Sequence, residues 1–205
     1  MLATGLQQHR VYIDETEFDL WTRGTYGRAR RGERVYRSVG GQRGGNVTVI
    51  AAISDQFGLF YHETHFGSVT SNTFNDFIAS LEAILGDERP LILMDNAPVH
   101  RGITPIYPEL QFRFLPPYSP FLNPIENCFS VFKSYIKRFL HEEVGQCTPA
   151  RAMEEGVTLA TLRENTIKVG VGFAISRVED QIVRQNYQHA NSYLIKCIER
   201  QYIFN

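Results

Sequence analysis

The sequence of 205 residues predicts an α/β fold, and three observations carry this prediction. Residues 10–18, 47–53 and 58–66 are rich in β-forming side chains and follow one another as the strands of a meander. A helix-periodic segment at residues 74–85 then precedes a short run at residues 91–94 that is apolar on both faces, as in a central parallel strand. A second helical pattern begins near residue 124. Together these patterns indicate a mixed five-stranded sheet flanked by helices, with extra C-terminal helices.

The predicted helices have recognisable start and stop signals. In the first helix, Thr73 is the expected N-cap and Gly86 the expected stop. A weak fifth strand is expected at residues 111–114. The second helix has an apolar stripe made by Ile125, Phe129, Phe132, Ile136 and Phe139. Residues 146–205 are expected to add two or three helices, starting at Thr148-Pro149, as an extension packed on the domain of residues 1–145.

The charge of the chain is unevenly distributed. A net charge of −1 argues weakly against a nucleic-acid partner, because neutralising phosphates normally requires an excess of Lys and Arg. Between residues 21 and 45, however, only Glu33 opposes a set of arginines: Arg23, Arg28, Arg30, Arg31, Arg34, Arg37 and Arg43. This segment could bind a polyanion, or it could be an ordinary solvated loop.

Several other classes of protein are not indicated. The chain has no run of about 18 apolar residues, and its first ten residues are too polar for a secretory signal, so we expect an intracellular protein with no membrane partner. The glycine pairs at residues 40–41 and 44–45 form no phosphate-binding fingerprint, so no nucleotide cofactor is expected. His62 and His65 lack the helical spacing of a zinc-protease motif.

Three acidic residues lie where a fold of this class places ligands. Asp95 directly follows the apolar strand, and ligands of open α/β sheets bind at the carboxyl ends of the strands. Glu126 lies in the first turn of the second helix. Asp14, in the first strand, is the natural third acid, while Glu15 beside it points to the opposite face. Carboxylates converging in this way can hold two divalent cations about 4 Å apart for chemistry on a phosphate.

Each acid also has a purely structural interpretation. Asp95, followed by Asn96 and a proline, could be an ordinary exit from a strand into a turn. Asn123 and Glu126 flank Pro124 as a capping box, which would explain the glutamate without catalysis. Asp14 alone could mark the end of a strand.

Other candidates carry less weight. His100 could contact a phosphate or the leaving oxygen, or its ring could be satisfied by a backbone carbonyl. Lys133 and Lys137 lie on the Glu126 side of the second helix, where they could guide a DNA backbone or simply be exposed.

Two longer motifs resemble a known family. Residues 95–100 (DNAPVH) and 115–126 (LPPYSPFLNPIE) resemble the signature of DDE transposases of the mariner and related bacterial insertion-sequence superfamily. Asp14-Glu15, followed by Trp21, Gly24 and the arginines, resembles the opening of that family. The resemblance spans roughly residues 8–140. It implies a ribonuclease H-like catalytic domain at residues 1–145, in which Asp14, Asp95 and Glu126 bind two Mg²⁺ or Mn²⁺ ions.

The resemblance also implies an activity and partners. Enzymes similar to this chain cut double-stranded DNA at transposon ends and join the freed end to target DNA. They act as dimers, so a homodimer on DNA is expected, in the nucleus of a eukaryote or in the cytoplasm or nucleoid of a bacterium. Only about ten residues precede the first strand, which leaves open a fragment, a truncated copy or a domesticated DNA- or protein-binding module without transposition activity. A ribonuclease H-like nuclease acting on other substrates is a further alternative.

Overall fold

The computed structural model describes residues 9–19, 30–32, 46–101 and 107–198. Within these ranges the centre is a five-stranded sheet in the order β3-β2-β1-β4-β5. The strands are β1 (Arg10–Asp19), β2 (Asn46–Ser54), β3 (Gly58–Phe66), β4 (Leu91–Met94) and β5 (Gln111–Phe114). The first three strands form an antiparallel meander, while β4 and β5 run parallel to β1. The prediction of a mixed five-stranded sheet is therefore confirmed.

Helices cover both faces of this sheet. One face packs against α1 (Ser71–Leu85), and the other against helices that follow β5. These are α2 (Pro124–Glu143), α4 (Leu159–Ile175) and α5 (Asp180–Ile198), while the short helix α3 (Pro149–Glu154) packs against α4. The boundary at residues 145 and 146 remains a prediction, although α4 and α5 share one hydrophobic core with α2. No helix in the described ranges is long and apolar enough to cross a membrane.

The alternation of side chains along β1 decides which residues face which helix. Val11 and Ile13 are buried in the cluster that contains the side chains of α1, whereas Tyr12 and Phe18 belong to the cluster of α2. Because successive strand side chains point to opposite faces, neighbouring residues of β1 serve different layers of the fold. This alternation separates the adjacent acids that follow Ile13.

Helix α5 forms hydrogen bonds with the sheet at the start of β1. The Tyr187 hydroxyl of α5 lies 3.1 Å from the carbonyl oxygen of Arg10 and 3.0 Å from that of Ile53. Arg10 Nη1 donates to Asn191 Oδ1 at 2.9 Å. Burial raises the pKa of Tyr187, so its hydroxyl remains protonated and able to donate. Helix α5 therefore contacts the main chain of two central strands.

Three of the predicted helix signals were tested by the structure. Helix α1 starts one turn earlier than expected, because Thr70 is its N-cap and its Oγ1 accepts from the Thr73 N–H at 3.2 Å. The prediction of Thr73 as the N-cap was wrong because the first turn of α1 contains only polar residues before Phe74, so the apolar periodicity does not reveal it. Gly86, at φ 57°, ends the helix as predicted. Thr148 caps α3 as predicted.

Candidate active site

The first two acids lie side by side at the carboxyl edge of the parallel strands. The parallel register pairs Arg10 with Leu91 and Tyr12 with Leu93. Asp14 and Asp95 are two residues further along in this same register, just beyond the last paired residues. The sheet topology therefore brings together two carboxylates that are remote in sequence.

Asp14 is buried and highly constrained. Its side chain is 7% exposed, its Oδ1 accepts from the Glu15 N–H at 2.8 Å, and its Oδ2 accepts from Asn123 Nδ2 at 2.7 Å. Burial raises the pKa of Asp14 to about 7; the Glu15 N–H opposes this, and the charges of Glu126, Glu15 and Asp95 raise it further. The mutual repulsion shows that the negative charges converge here.

Asn123 corrects one prediction. Helix α2 begins at Pro124 as expected, but the Asn123 side chain does not form the predicted capping box with Glu126, because its Nδ2 donates to Asp14 and its Oδ1, the atom that a cap would use, accepts nothing from the helix. Its Oδ1 is buried with no hydrogen-bond partner among the described residues. The hydrogen bond to the buried carboxylate of Asp14, and not the start of the helix, therefore sets the orientation of the Asn123 side chain.

Glu126 and Asp95 share an open cleft with the loop that leads into α2. The cleft has a volume of about 320 Å³. It is lined by Asp95, Asn96, Ala97, Leu115, Pro116, Pro117, Tyr118, Ser119, Pro120, Asn123 and Glu126. Asn96 Nδ2 donates to the Leu115 carbonyl at 2.5 Å, which joins the loops after β4 and β5. Both acids are exposed, so their oxygens can reach a ligand in the cleft.

His100 lies between Glu15 and Asp95. Its ring is 0% exposed, with Nε2 2.9 Å from Glu15 Oε1 and Nδ1 2.9 Å from Asp95 Oδ1. Nδ1 also lies 3.2 Å from the Asp95 carbonyl oxygen. Burial lowers the pKa of His100, but the hydrogen bond and charge of Glu15, helped by Asp95, outweigh burial and raise it.

This burial decides between the two interpretations of the histidine. A ring with no exposed surface cannot contact a phosphate or a leaving oxygen, so that expectation was wrong. The alternative of a backbone carbonyl partner is observed. The contact with Glu15 could not be predicted from the motif, since the two residues are 85 positions apart.

The two lysines line a second groove that continues from the first. This groove has a volume of about 450 Å³ and is lined by Glu126, Phe129, Ser130, Lys133, Ser134 and Lys137. Because Glu126 lines both cavities, the lysines extend the cleft along α2. Of the predicted DNA-binding arginines, Arg30 and Arg31 are described and exposed, while Arg23, Arg28 and Arg34 lie outside the described residues.

The donor set fits hard divalent cations. Carboxylate oxygens are the ligands that Mg²⁺ and Mn²⁺ prefer, and a cation would stabilise the charged form of Asp14, which burial and the neighbouring carboxylates disfavour. Within the described ranges, no group of three His, Cys, Asp or Glu side chains is arranged around one ion position. Mg²⁺ is commonly held by one or two carboxylates together with water and substrate phosphates, so such a closed group is not required.

Comparison with known families agrees with this geometry. The family described as DDE superfamily endonuclease matches residues 9–146. The chain belongs to the DDE superfamily endonucleases. The resemblance based on residues 95–100 and 115–126 is thereby confirmed. No curated protein sequence matches the chain.

Solved structures show the same fold for this DDE endonuclease. The Mos1 strand transfer complex matches with a TM-score of 0.61 and 17% identity, covering 96% of this chain and 56% of that chain. The Mos1 mariner paired end complex with Mn gives 0.62 and 16%, with coverage of 96% and 56%. The catalytic domain of Mos1 mariner transposase gives 0.54 and 15%, with coverage of 95% and 84%. The ribonuclease H-like fold is confirmed, and the chain spans 56% of the length of the first two Mos1 chains.

Proposed function

We propose that this DDE endonuclease is the catalytic domain of a transposase that performs metal-dependent DNA strand cleavage and strand transfer in cut-and-paste transposition. The observation that carries the proposal is the convergence of Asp14, Asp95 and Glu126. The parallel pairing of β1 with β4 brings Asp14 beside Asp95, and Glu126 lines the same cleft as Asp95. The charges of Asp95 and Glu126 both act on the buried Asp14.

Two divalent cations are part of the proposal. Asp14, Asp95 and Glu126 would hold two Mg²⁺ or Mn²⁺ ions, which when bound supply charge neutralisation and activation of water at the scissile phosphate. Two supporting observations are the oxygen-only donor set and the raised pKa of Asp14, whose charge a cation would stabilise. Mos1 paired end complexes are known with Mn and with Mg.

The protein side chains then position the acids and the DNA. Asn123 fixes the Asp14 carboxylate, and Asp95 and Glu126 project into the cleft where a phosphodiester would bind. Lys133 and Lys137 extend this surface along α2 and would neutralise neighbouring phosphates of double-stranded DNA. Holding the reacting groups in place supplies much of the catalysis expected of such a site.

The partners follow from the same proposal. The DNA substrates would be the transposon ends and the target, bound by a homodimer as in similar enzymes. With a DNA-cutting role the protein would act in the nucleus of a eukaryote or in the cytoplasm or nucleoid of a bacterium. The alternative is a truncated or domesticated module that binds DNA or protein without transposition.

The test measures nicking of supercoiled plasmid in Mn²⁺ and cleavage and joining of the terminal repeat that flanks the gene. Asp95→Asn and Glu126→Gln should each reduce cleavage at least ~100-fold, because each removes a carboxylate that would hold a divalent cation at the scissile phosphate. The matched controls Asp87→Asn and Glu142→Gln change exposed carboxylates elsewhere and should cleave normally. Wild-type protein that binds DNA without cutting it would support the binding-module alternative instead.

A further inference from the structure

The buried ring of His100 contacts two acids from different elements: Glu15 of β1 and Asp95, which directly follows β4. Nε2 lies 2.9 Å and 3.1 Å from the two carboxylate oxygens of Glu15. Nδ1 lies 2.9 Å from Asp95 Oδ1 and 3.2 Å from the Asp95 carbonyl. The ring thus joins Glu15, which faces the α1 layer, to an acid that lines the cleft.

The contacts of Asp95 are concentrated on one of its oxygens. Oδ1 accepts from the Ala97 N–H at 2.8 Å and also lies beside His100 Nδ1. No hydrogen bond from the described residues engages Oδ2. Since 52% of the Asp95 side chain is exposed, only these contacts restrict the rotation of its carboxylate. Oδ2 is therefore the Asp95 oxygen that remains available to a ligand in the cleft.

The ring is itself held from three sides. Glu15 lies behind Nε2, and the Phe74 ring is 4.3 Å away between centroids. The backbone N–H of His100 donates to the Ala97 carbonyl at 3.0 Å, within the short helical turn of residues 98–100, and so fixes the main chain that carries the ring. A histidine that only filled the core would need one partner for its polar edge. Here both nitrogens face carboxylate oxygens.

We propose that His100 is a positioning residue: held by Glu15, it fixes the Asp95 carboxylate in the orientation that presents Oδ2 to a divalent cation. The inference rests on the proposed function, because it assumes that Asp95 binds metal. Residues that hydrogen-bond to a metal ligand without touching the metal typically increase metal affinity 10–100-fold, and this gain is lost when they are substituted.

The test compares two substitutions that remove the same imidazole but preserve different contacts. In His100→Asn the amide nitrogen takes the place of Nδ1 and can still donate to Asp95. In His100→Gln the amide nitrogen takes the place of Nε2 and can reach only Glu15. Mn²⁺ binding is measured directly by the electron paramagnetic resonance of free Mn²⁺, alongside thermal unfolding in EDTA.

We expect His100→Asn to bind Mn²⁺ within about 3-fold of wild type and His100→Gln to bind about 10-fold more weakly. A purely structural histidine would give the two variants the same Mn²⁺ affinity, and that result overturns the inference. Asp95→Asn is included in the same series. If it binds Mn²⁺ like wild type, the proposed function fails, independently of how the His100 variants behave.

A variant at Glu15 provides an independent test if both His100 variants fail to fold. Glu15→Met preserves the volume of the side chain but removes the acceptor behind Nε2. It should weaken Mn²⁺ binding several-fold, whereas Glu17→Met, at an exposed position two residues further along the same strand, should not. Unchanged Mn²⁺ affinity in a folded Glu15→Met protein also overturns the inference.

Discussion

Asn123 donates its side-chain amide to Asp14 Oδ2 at 2.7 Å, across 109 positions of the chain. Both side chains are buried, at 4% and 7% exposure. The residue that precedes α2 is thereby tied to the middle of β1. Because Glu126 lies in the first turn of the same helix, this one hydrogen bond fixes the position of the third acid relative to the first.

Replacing this amide with a carboxylate should be costly. Asn123→Asp places a second negative charge against Asp14 in a buried site, and we expect it to lower the free energy of unfolding at pH 8 by about 2–4 kcal/mol. Asn127→Asp makes the same change at an exposed position of the same helix and should stay within about 0.5 kcal/mol. Urea unfolding in EDTA measures both. Equal losses would contradict the buried contact.

The pH dependence of stability reports the environment of Asp14. A carboxyl whose folded pKa is raised to about 7 contributes stability at low pH that is lost as the pH rises from about 4 to 7. Without metal, Asp14→Asn should therefore be more stable than wild type at pH 8, by about 2–4 kcal/mol. The difference should vanish below about pH 4. A pH-independent difference would be inconsistent with this pKa.

The groove along α2 predicts a salt-dependent contribution to DNA binding. Each phosphate contact contributes about one to the slope of log Kd against log salt concentration. Lys133→Ala combined with Lys137→Ala should therefore reduce this slope by about 2. The control pair Lys168→Ala and Lys196→Ala, on α4 and α5, should leave the slope unchanged. Filter binding or fluorescence anisotropy at several salt concentrations measures it.

Tyr118 combines full exposure with a backbone conformation that few residues adopt. Its side chain is 99% exposed at the rim of the cleft, and its φ is 56°. Tyr118→Gly should leave thermal stability unchanged or raise it, because glycine adopts this φ without strain. If the ring stacks on a base, DNA affinity should fall about 5- to 100-fold, and Tyr118→Phe should retain it.

The packing of α4 on α2 depends on a glycine. A Cβ atom at Gly170 would lie 2.6 Å from Phe139 Cδ1, whereas one at Gly172 would meet nothing within 4 Å. Gly172→Ala should stabilise the protein by about 0.5–1 kcal/mol through helix propensity. Gly170→Ala should instead destabilise it by about 1–3 kcal/mol because the helices must separate. Thermal and urea unfolding of the two variants make the comparison.

The main elements of the fold could be predicted because their signals are local. The apolar periods of α1 and α2 and the short run of β4 are set by residues a few positions apart. The pairing of Asp14 with Asp95 follows once both strands are assigned to one parallel pair. What the sequence could not show is a side chain that satisfies a distant buried group.

Asn123 and His100 illustrate this limit. The capping rule located the start of α2, but it could not show that a buried carboxylate of β1 lies close to this helix start and needs a donor. The amide of Asn123 therefore binds Asp14. For His100, the motif could not reveal that Phe74 and Glu15 enclose the ring completely. In both cases the deciding partner comes from another element.

The contact between Tyr187 and the first strands has a consequence for biosynthesis. The partners of this hydroxyl, Arg10 and Ile53, precede it by 177 and 134 positions. On the ribosome, β1 and β2 emerge early, and this contact forms only after α5 has been translated. The end of the sheet at which β1 begins is therefore completed late, after most of the described protein has been synthesised.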